Sequence, residues 1–102
     1  MIKTLTDLRK QMKVIPKSPV KKGCGGGLHI VHHPNGSIYY YGRMTVQVEG
    51  ESRRPEVQVG TNSQDFSLNE ARDLWQRMKT WAKDSNREPK HYKNEVMKEK
   101  VV

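Results

Sequence analysis

The clearest pattern along the chain is a strict alternation of side chains over residues 38–48. Ile38, Tyr40, Gly42, Met44, Val46 and Val48 form one set, and Tyr39, Tyr41, Arg43, Thr45 and Gln47 form the other. Because successive side chains of a β-strand point to opposite faces, this alternation predicts a long strand with one buried and one solvated face.

Two shorter segments predict the strands on either side. Residues 28–33 are followed by Pro34-Asn35-Gly36-Ser37, and Asn-Gly is the strongest short-range signal for a two-residue type I′ hairpin turn. Residues 55–60 place Val57 and Val59 on one face, with Pro55 at the first position, where a missing amide is tolerated. The polar residues 49–54 are expected to make the second turn.

A helical period follows over residues 68–84. Ser67 and Glu70 have the spacing of a capping box, in which each side chain bonds the backbone amide of the other. The helix is expected to cover the apolar face of the sheet, with at least one of Trp75 and Trp81 in the core. Its apolar stripe consists of Leu68, Ala71, Leu74 or Trp75, Met78, and Trp81 or Ala82.

The remaining segments are expected to be flexible tails. Residues 1–27 form a basic leader with a short helical turn from Thr4 or Thr6 to about Met12, and a glycine-rich stretch after which regular order should begin. Residues 85–102 are polar and are interpreted as a linker toward a missing downstream domain. The predicted fold class is α+β, with a three-stranded antiparallel sheet packed on one C-terminal helix (β-β-β-α) over residues 28–84.

The net charge of the chain indicates what kind of partner it binds. Lys and Arg number 19 against 11 acidic residues, which gives a net charge of +8. Such an excess attracts phosphates over long range and favours nucleic acid as a partner. No apolar run is long enough to span a membrane and the start turns polar at once. We therefore expect a soluble, cytoplasmic protein, or a nucleoid-associated one if it is bacterial; the phage or bacterial origin itself is implied only by the resemblance given below.

Few residues suggest other chemistry. His29, His32 and His33 are close in sequence, but His29 and His32 point to opposite faces of a strand, so a metal site is not expected. The glycine run lacks the Gly-Lys-Ser/Thr ending of a phosphate-binding loop. Cys24, the single cysteine, is interpreted as an incidental small residue. We expect no metal, no cofactor and no small-molecule substrate.

Five short motifs, in order over residues 5–83, resemble the N-terminal arm-type DNA-binding domain of tyrosine-recombinase integrases from prophages and genomic islands. That family typically reads LTD near the start, then DGGGL, a Pro-x-Gly-Ser hairpin, LG, and SLAEAR. The matching residues are Leu5-Thr6-Asp7, Gly25-Gly26-Gly27-Leu28, Pro34-Asn35-Gly36-Ser37, Val59-Gly60 and Ser67-Leu68-Asn69-Glu70-Ala71-Arg72.

The resemblance implies DNA binding during recombination, without catalysis by this domain. Integrases of this kind carry the catalytic tyrosine in a separate C-terminal domain, and other integrase protomers would be partners of the full-length protein. The chain departs from the family at Cys24, where the family has Asp, at the tyrosine-rich strand, and at Glu56, where the family prefers Lys, Arg or Thr. These departures bear on base contacts more than on the fold.

The solvated face of the predicted sheet has the chemistry of a major-groove reader of double-stranded DNA. An Arg can donate twice to guanine, a Gln can pair with adenine, and a Thr can touch the thymine methyl. The candidate base contacts are His29, Tyr39, Tyr41, Arg43, Thr45, Gln47 and Gln58. The candidate phosphate contacts are Lys21, Lys22, Arg53 and Arg54.

Three alternatives remain open from the residues alone. The sheet could be a protein-interaction module of a recombination complex. Weak, salt-insensitive binding to duplex DNA would favour this hypothesis. Exposed tyrosines could instead stack on single-stranded nucleic acid. An enzyme that uses the histidines ranks last. A solvated polar face by itself is also what any one-sided antiparallel sheet shows.

Overall fold

The computed structural model describes residues 1–97 of the chain. Two helices, α1 (Leu5–Met12) and α2 (Leu68–Ser85), flank the strands in sequence, and a short π-helix spans Lys93–Met97. The strands are β1 (Val20–Gly25), β2 (Leu28–His32), β3 (Ile38–Arg43), β4 (Val46–Val48), β5 (Glu51–Arg53) and β6 (Glu56–Thr61). An antiparallel sheet has the order β1-β2-β3-β6, and β4 and β5 form a separate two-stranded ribbon.

Both helices lie on one face of the four-stranded sheet, because their buried side chains join a single hydrophobic core with the inward residues of the strands. Burying a large apolar side chain such as Ile30 or Met78 contributes about 1.5–3 kcal/mol. Helix α2 supplies Leu68, Ala71, Trp75, Met78 and Ala82, α1 supplies Leu8, and the sheet supplies Leu28, Ile30, Ile38, Tyr40 and Val59. The predicted α+β class, the antiparallel sheet and the C-terminal helix are confirmed.

The sheet has four strands rather than three. Val20–Gly25 of the basic leader pairs with β2, although regular order was expected only after the glycine run. The N-terminus is tied to this strand, because the Ile2 amide donates to the Gly23 carbonyl at 2.8 Å. Ile2 and Leu8 are 5% and 1% exposed, so the leader contributes to the core.

Both hairpin turns differ from the predicted ones. The first is a three-residue turn, in which the His33 amide donates to Ser37 and the Gly36 amide to His33, each at 2.9 Å. Pro34 explains the change, because it has no N–H for the pairing with Ser37 that a two-residue turn needs. The second turn is confined to Glu49 and Gly50, both at positive φ, and residues 51–53 form β5 instead of a loop.

The predicted long strand is divided. Residues 38–43 pair with β6, whereas residues 46–48 pair with β5, so Met44 and Thr45 separate two ribbons. A hydrogen bond from the Met44 amide to the Pro55 carbonyl at 3.4 Å connects them. Despite the break, the alternation persists, since Met44 and Val46 are buried while Thr45 and Gln47 are exposed.

The capping box predicted at the N-terminus of α2 is not formed. Ser67 makes no side-chain bond to the helix backbone; its hydroxyl donates instead to the Glu70 carboxylate at 2.8 Å. A complete capping box occurs at α1, where Thr4 and Asp7 bond each other's amides. The backbone amides of Lys3 and Thr4 both donate to the Asp7 carboxylate, and these bonds lower the pKa of Asp7.

The segment after α2 packs back onto the domain. Asn86 ends the helix in a left-handed conformation with φ of 52°. Tyr92 is 6% exposed and meets Trp81 edge-on, with ring centroids 6.0 Å apart. Lys93 donates to the Val59 carbonyl at 3.0 Å. The first part of the segment predicted as a linker (85–102) thus contacts α2 and β6, and residues 98–102 lie outside the described residues.

Candidate nucleic-acid interface

The face of the sheet opposite the helices carries the predicted DNA-contacting side chains, and we call it the open face. Strand register sets them in rows across β2, β3 and β6. One row is His29, Tyr41 and Gln58, and the next is Val31, Tyr39 and Thr61. Arg43 stands opposite Glu56 at the end of β3. The face also includes Lys21, which pairs with Val31 in β1. The predicted division into a buried and a solvated face is confirmed.

A β-bulge produces this arrangement. Tyr40 pairs with Gly60 and Tyr41 pairs with Gln58, so Val59 is the extra residue on β6. The extra residue lets Val59 sit in the core at 1% exposure while Gln58 shares a row with Tyr41. Bulges of this kind re-aim side chains within a sheet.

The two tyrosines of the open face are braced by histidines on the neighbouring strand. Tyr41 stacks on His29 with centroids 5.8 Å apart and an interplanar angle of 17°. Tyr39 meets His33 edge-on at 5.2 Å. All four rings are partly exposed, so they form a semi-rigid surface rather than free aromatic platforms.

Arg43 lies in an ion-pair cluster that spans three strands. Its Nη2 donates to Glu56 Oε2 at 2.8 Å, and His29 Nε2 is 3.3 Å from the same oxygen. The side chains of Arg43, Glu56 and His29 are 48%, 31% and 17% exposed. Sequence reasoning placed Arg43 and His29 on the open face but did not find their shared partner Glu56, because the partnership depends on strand register.

The other candidate base contacts lie along one edge of this surface. Gln58 is exposed on β6, next to Tyr41 in register. Thr45 is exposed at the break between β3 and β4, and Gln47 is exposed on β4, where it pairs with Ser52 of β5. The structure therefore divides the predicted set into a group on the sheet and two residues on its extension.

The four candidate phosphate contacts have different environments. Lys21 and Lys22 are exposed on β1 and both line a shallow cavity of about 230 Å³ at the sheet edge. Lys21 belongs to the open face, whereas Lys22 pairs with Ile30 and reaches the cavity from the helix side of this edge strand. Arg53 is held by Glu51 and Glu88, each at 3.3 Å, and its bonds to these two carboxylates raise its pKa, Glu51 most. Within residues 1–97, Arg54 is exposed and makes no ion pair.

Most of the net positive charge comes from residues 1–54, because the acidic residues are few there. Residues 1–54 contain ten Lys and Arg and three acidic residues. By contrast, α2 has four basic and three acidic residues, some of them paired within the helix, such as Asp73 and Arg77 at 3.0 Å. A net positive charge of this size in residues 1–54, which include strands β1, β2 and β3 of the open face, favours a nucleic-acid partner.

The histidines and the cysteine show no other arrangement that suggests chemistry. His32 is fully buried on the helix-facing side, where its Nδ1 is 3.0 Å from Gln11 Nε2. Burial raises the pKa of the Cys24 thiol. In residues 1–97 no three His, Cys, Asp or Glu side chains stand close enough to hold a metal ion, and no helix there is long and apolar enough to cross a membrane.

Comparison with known proteins agrees with this geometry. Residues 4–96 match the sequence profile of the Arm DNA-binding domain. The chain belongs to the Arm DNA-binding domain family. A search of curated protein sequences returned no significant match. The resemblance inferred from the five motifs is thus confirmed, and this Arm DNA-binding domain is a non-catalytic module whose ligand class is DNA.

Proposed function

We propose that this Arm DNA-binding domain recognises a specific duplex sequence by placing the open face in the major groove. We further propose that it acts as the N-terminal module of a tyrosine recombinase of a prophage or genomic island, where it binds arm-type sites. The family match supports DNA as the ligand and recombination as the context.

One observation carries the mechanism: the polar side chains of three adjacent strands share a face that no described element covers, while the reverse face packs on α2. Strands in a sheet are about 4.8 Å apart, so β2, β3 and β6 span about 10 Å between their outer axes. The major groove is about 12 Å wide. The dimensions are compatible with face-on insertion of these strands.

Roles follow from the chemistry and position of each residue. Gln58 and Gln47 are suited to adenine, Arg43 to guanine, and Thr45 to a thymine methyl. Tyr39, Tyr41 and His29 support the surface and contact base edges or sugars. Lys21, Lys22 and Arg54 flank it and would meet phosphates, which position the domain without reading sequence. Arg53 would need to exchange one of its carboxylate partners for a phosphate.

The experiment starts from selection of a preferred duplex out of a randomised library. Fluorescence anisotropy then compares the unsubstituted domain with Gln58→Ala, and with Gln76→Ala on the exposed side of α2 as the matched control. We expect Gln58→Ala to lose about 5- to 150-fold in affinity for the selected duplex, which corresponds to a base contact of about 1–3 kcal/mol, while Gln76→Ala has no effect.

Three outcomes would contradict the proposal. If Gln58→Ala, Thr45→Ala and Tyr41→Ala all bind the selected duplex as tightly as Gln76→Ala, the open face is not the surface that reads the sequence. Tighter binding to the single strands than to their duplex would favour stacking on the tyrosines. Absence of DNA binding at low salt would favour a protein-interaction module instead.

A further inference from the structure

We propose that Glu56 is a positioning residue that holds Arg43 ready to read a guanine and turns it away from phosphates. This inference rests on the proposed function and names one base and one residue pair within it. The acidic side chain, which at first sight weakens a DNA-binding surface, would thereby increase its selectivity.

The geometry shows a carboxylate that is itself fixed. Glu56 on β6 lies directly opposite Arg43 on β3, and the 2.8 Å bond joins Arg43 Nη2 to Glu56 Oε2. His29 on β2 approaches the same oxygen at 3.3 Å, and its ring is in turn stacked on Tyr41. Contacts from two other strands therefore restrict where the carboxylate can go, and the carboxylate restricts the guanidinium.

The pairing leaves donors of Arg43 free for a ligand. A guanidinium has five N–H groups in a planar fork, and among residues 1–97 the hydrogen bond of Arg43 uses only Nη2. Because the Arg43 side chain remains 48% exposed, one edge of the fork can still meet two acceptors at once. In the major groove only guanine presents two adjacent acceptors, N7 and O6, whereas adenine pairs an acceptor with a donor.

The Glu56 carboxylate also disfavours binding of Arg43 to phosphates. An unpaired arginine on a flexible stem would bind any phosphate and would lose side-chain rotamer entropy when ordered. Glu56 orders the side chain before DNA arrives and repels phosphate oxygens, so phosphate binding is left to Lys21 and Lys22. The expected consequence is weaker binding to random DNA but a larger ratio between cognate and non-cognate affinity.

The test measures discrimination rather than affinity alone. Using the selected duplex, each guanine is replaced in turn by 7-deazaguanine, which lacks the N7 acceptor. We expect one position at which the unsubstituted domain loses about 5- to 150-fold in affinity. Arg43→Ala should lose this sensitivity at that position and keep its response at all other positions.

Glu56 is then examined in two variants. Glu56→Ala should bind random duplex more tightly, with a salt dependence steeper by about 0.9 in the log–log slope, and should lose most of its discrimination at the same guanine. Glu56→Gln keeps an acceptor for Arg43 without the charge, so it should retain part of the discrimination. Asp73→Asn is the matched control, because Asp73 forms a comparable 3.0 Å ion pair with Arg77 on α2; its discrimination should be unchanged.

The outcomes separate this inference from the proposed function. If Glu56→Ala and Glu56→Gln both keep full sensitivity to 7-deazaguanine while Gln58→Ala still weakens binding, the open face reads DNA but Glu56 does not position Arg43. If Arg43→Ala and Gln58→Ala both bind as the unsubstituted domain does, the proposed function itself fails. Should Glu56→Ala lose its cooperative thermal transition, the comparison of Glu56→Gln with Asp73→Asn decides the question.

Discussion

Gly42 of β3 lies directly against the indole ring of Trp75 on α2. A Cβ at position 42 would stand less than 3.0 Å from three carbons of that ring. The ring has little freedom to retreat, because Trp75 is 2% exposed and its Nε1 donates to the Gly26 carbonyl at 2.8 Å. This contact sets how closely the helix approaches the sheet.

Gly42→Ala should therefore destabilise the domain by about 1–3 kcal/mol through overpacking, which urea unfolding will measure. Gly23→Ala is the matched control, since Gly23 is also in the sheet and a Cβ there meets nothing within 4 Å. It should be neutral or slightly stabilising. Equal effects of the two substitutions would mean that the helix can move away from β3.

The capping box of α1 offers a second stability test. Thr4 Oγ1 accepts from the Asp7 amide at 3.2 Å, and Asp7 accepts from the Thr4 amide at 3.1 Å. Thr4→Ala should cost about 1 kcal/mol, measured by thermal or urea unfolding. Thr6→Ala, two residues further on within α1, removes a hydroxyl with no capping bond and should not destabilise the domain. A neutral Thr4→Ala would show that the capping box adds nothing to the tertiary contacts of α1, such as those of Leu8 and Gln11.

His32 predicts how stability depends on pH. Burial lowers its pKa from 6.5, and the nearby His33 lowers it further. The unfolded chain therefore takes up the proton at a higher pH than the folded domain, and stability rises with pH wherever the unfolded state binds more protons. The contribution of neutral His32 is fully present above about pH 6.5 and is lost as pH falls through the lower pKa of the folded state.

The measurement is the free energy of unfolding by urea from neutral to mildly acidic pH. In the part of the chain that the structure describes, His32 Nε2 has no hydrogen-bond partner, so nothing there offsets the charge after protonation. The free energy of unfolding of His32→Gln should fall less steeply toward acidic pH than that of the unsubstituted domain, since the two proteins differ only at position 32. Parallel curves would contradict this account.

Lys21 and Lys22 predict a separate signature in DNA binding. If each neutralises one phosphate, Lys21→Ala and Lys22→Ala should each reduce the magnitude of the log–log salt slope by about 0.9. Both should weaken selected and random duplexes by similar factors, because phosphate contacts carry no sequence information. Lys83→Ala, on the exposed surface of α2, should leave the slope unchanged. A slope that responds equally to all three would indicate diffuse charge attraction.

Local sequence patterns were sufficient to predict the two faces of the sheet and the position of α2. Alternation over residues 38–48 separated Tyr39, Tyr41 and Arg43 from the core correctly, because side-chain direction in a strand follows from sequence parity alone. The helical period placed Met78 in the core in the same way, and α2 begins at Leu68 as the pattern indicated. Five motifs in order also sufficed to identify the family.

Local patterns failed where a residue's state depends on a distant partner. Val20–Gly25 is rich in lysine and glycine and has no strand signal of its own; it is a strand because the edge of β2 offers it hydrogen bonds. The helical period could not distinguish Leu74 from Trp75 as the core residue; in the structure Trp75 is the buried one, and it packs against Gly42. The predicted Ser67 cap is not formed, because the hydroxyl donates to the Glu70 carboxylate and accepts no bond from the helix backbone.

The sequence by itself thus determined which side chains share a face, since that property repeats every two or 3.6 residues and needs no knowledge of the rest of the chain. Only the tertiary structure decided which of them touch. Glu56 meets Arg43 and His29 because of strand pairing and the extra residue at Val59 in β6. Register between strands comes from the packing of the whole sheet on its helices, and shifting it by one residue would put Glu56 on the other face.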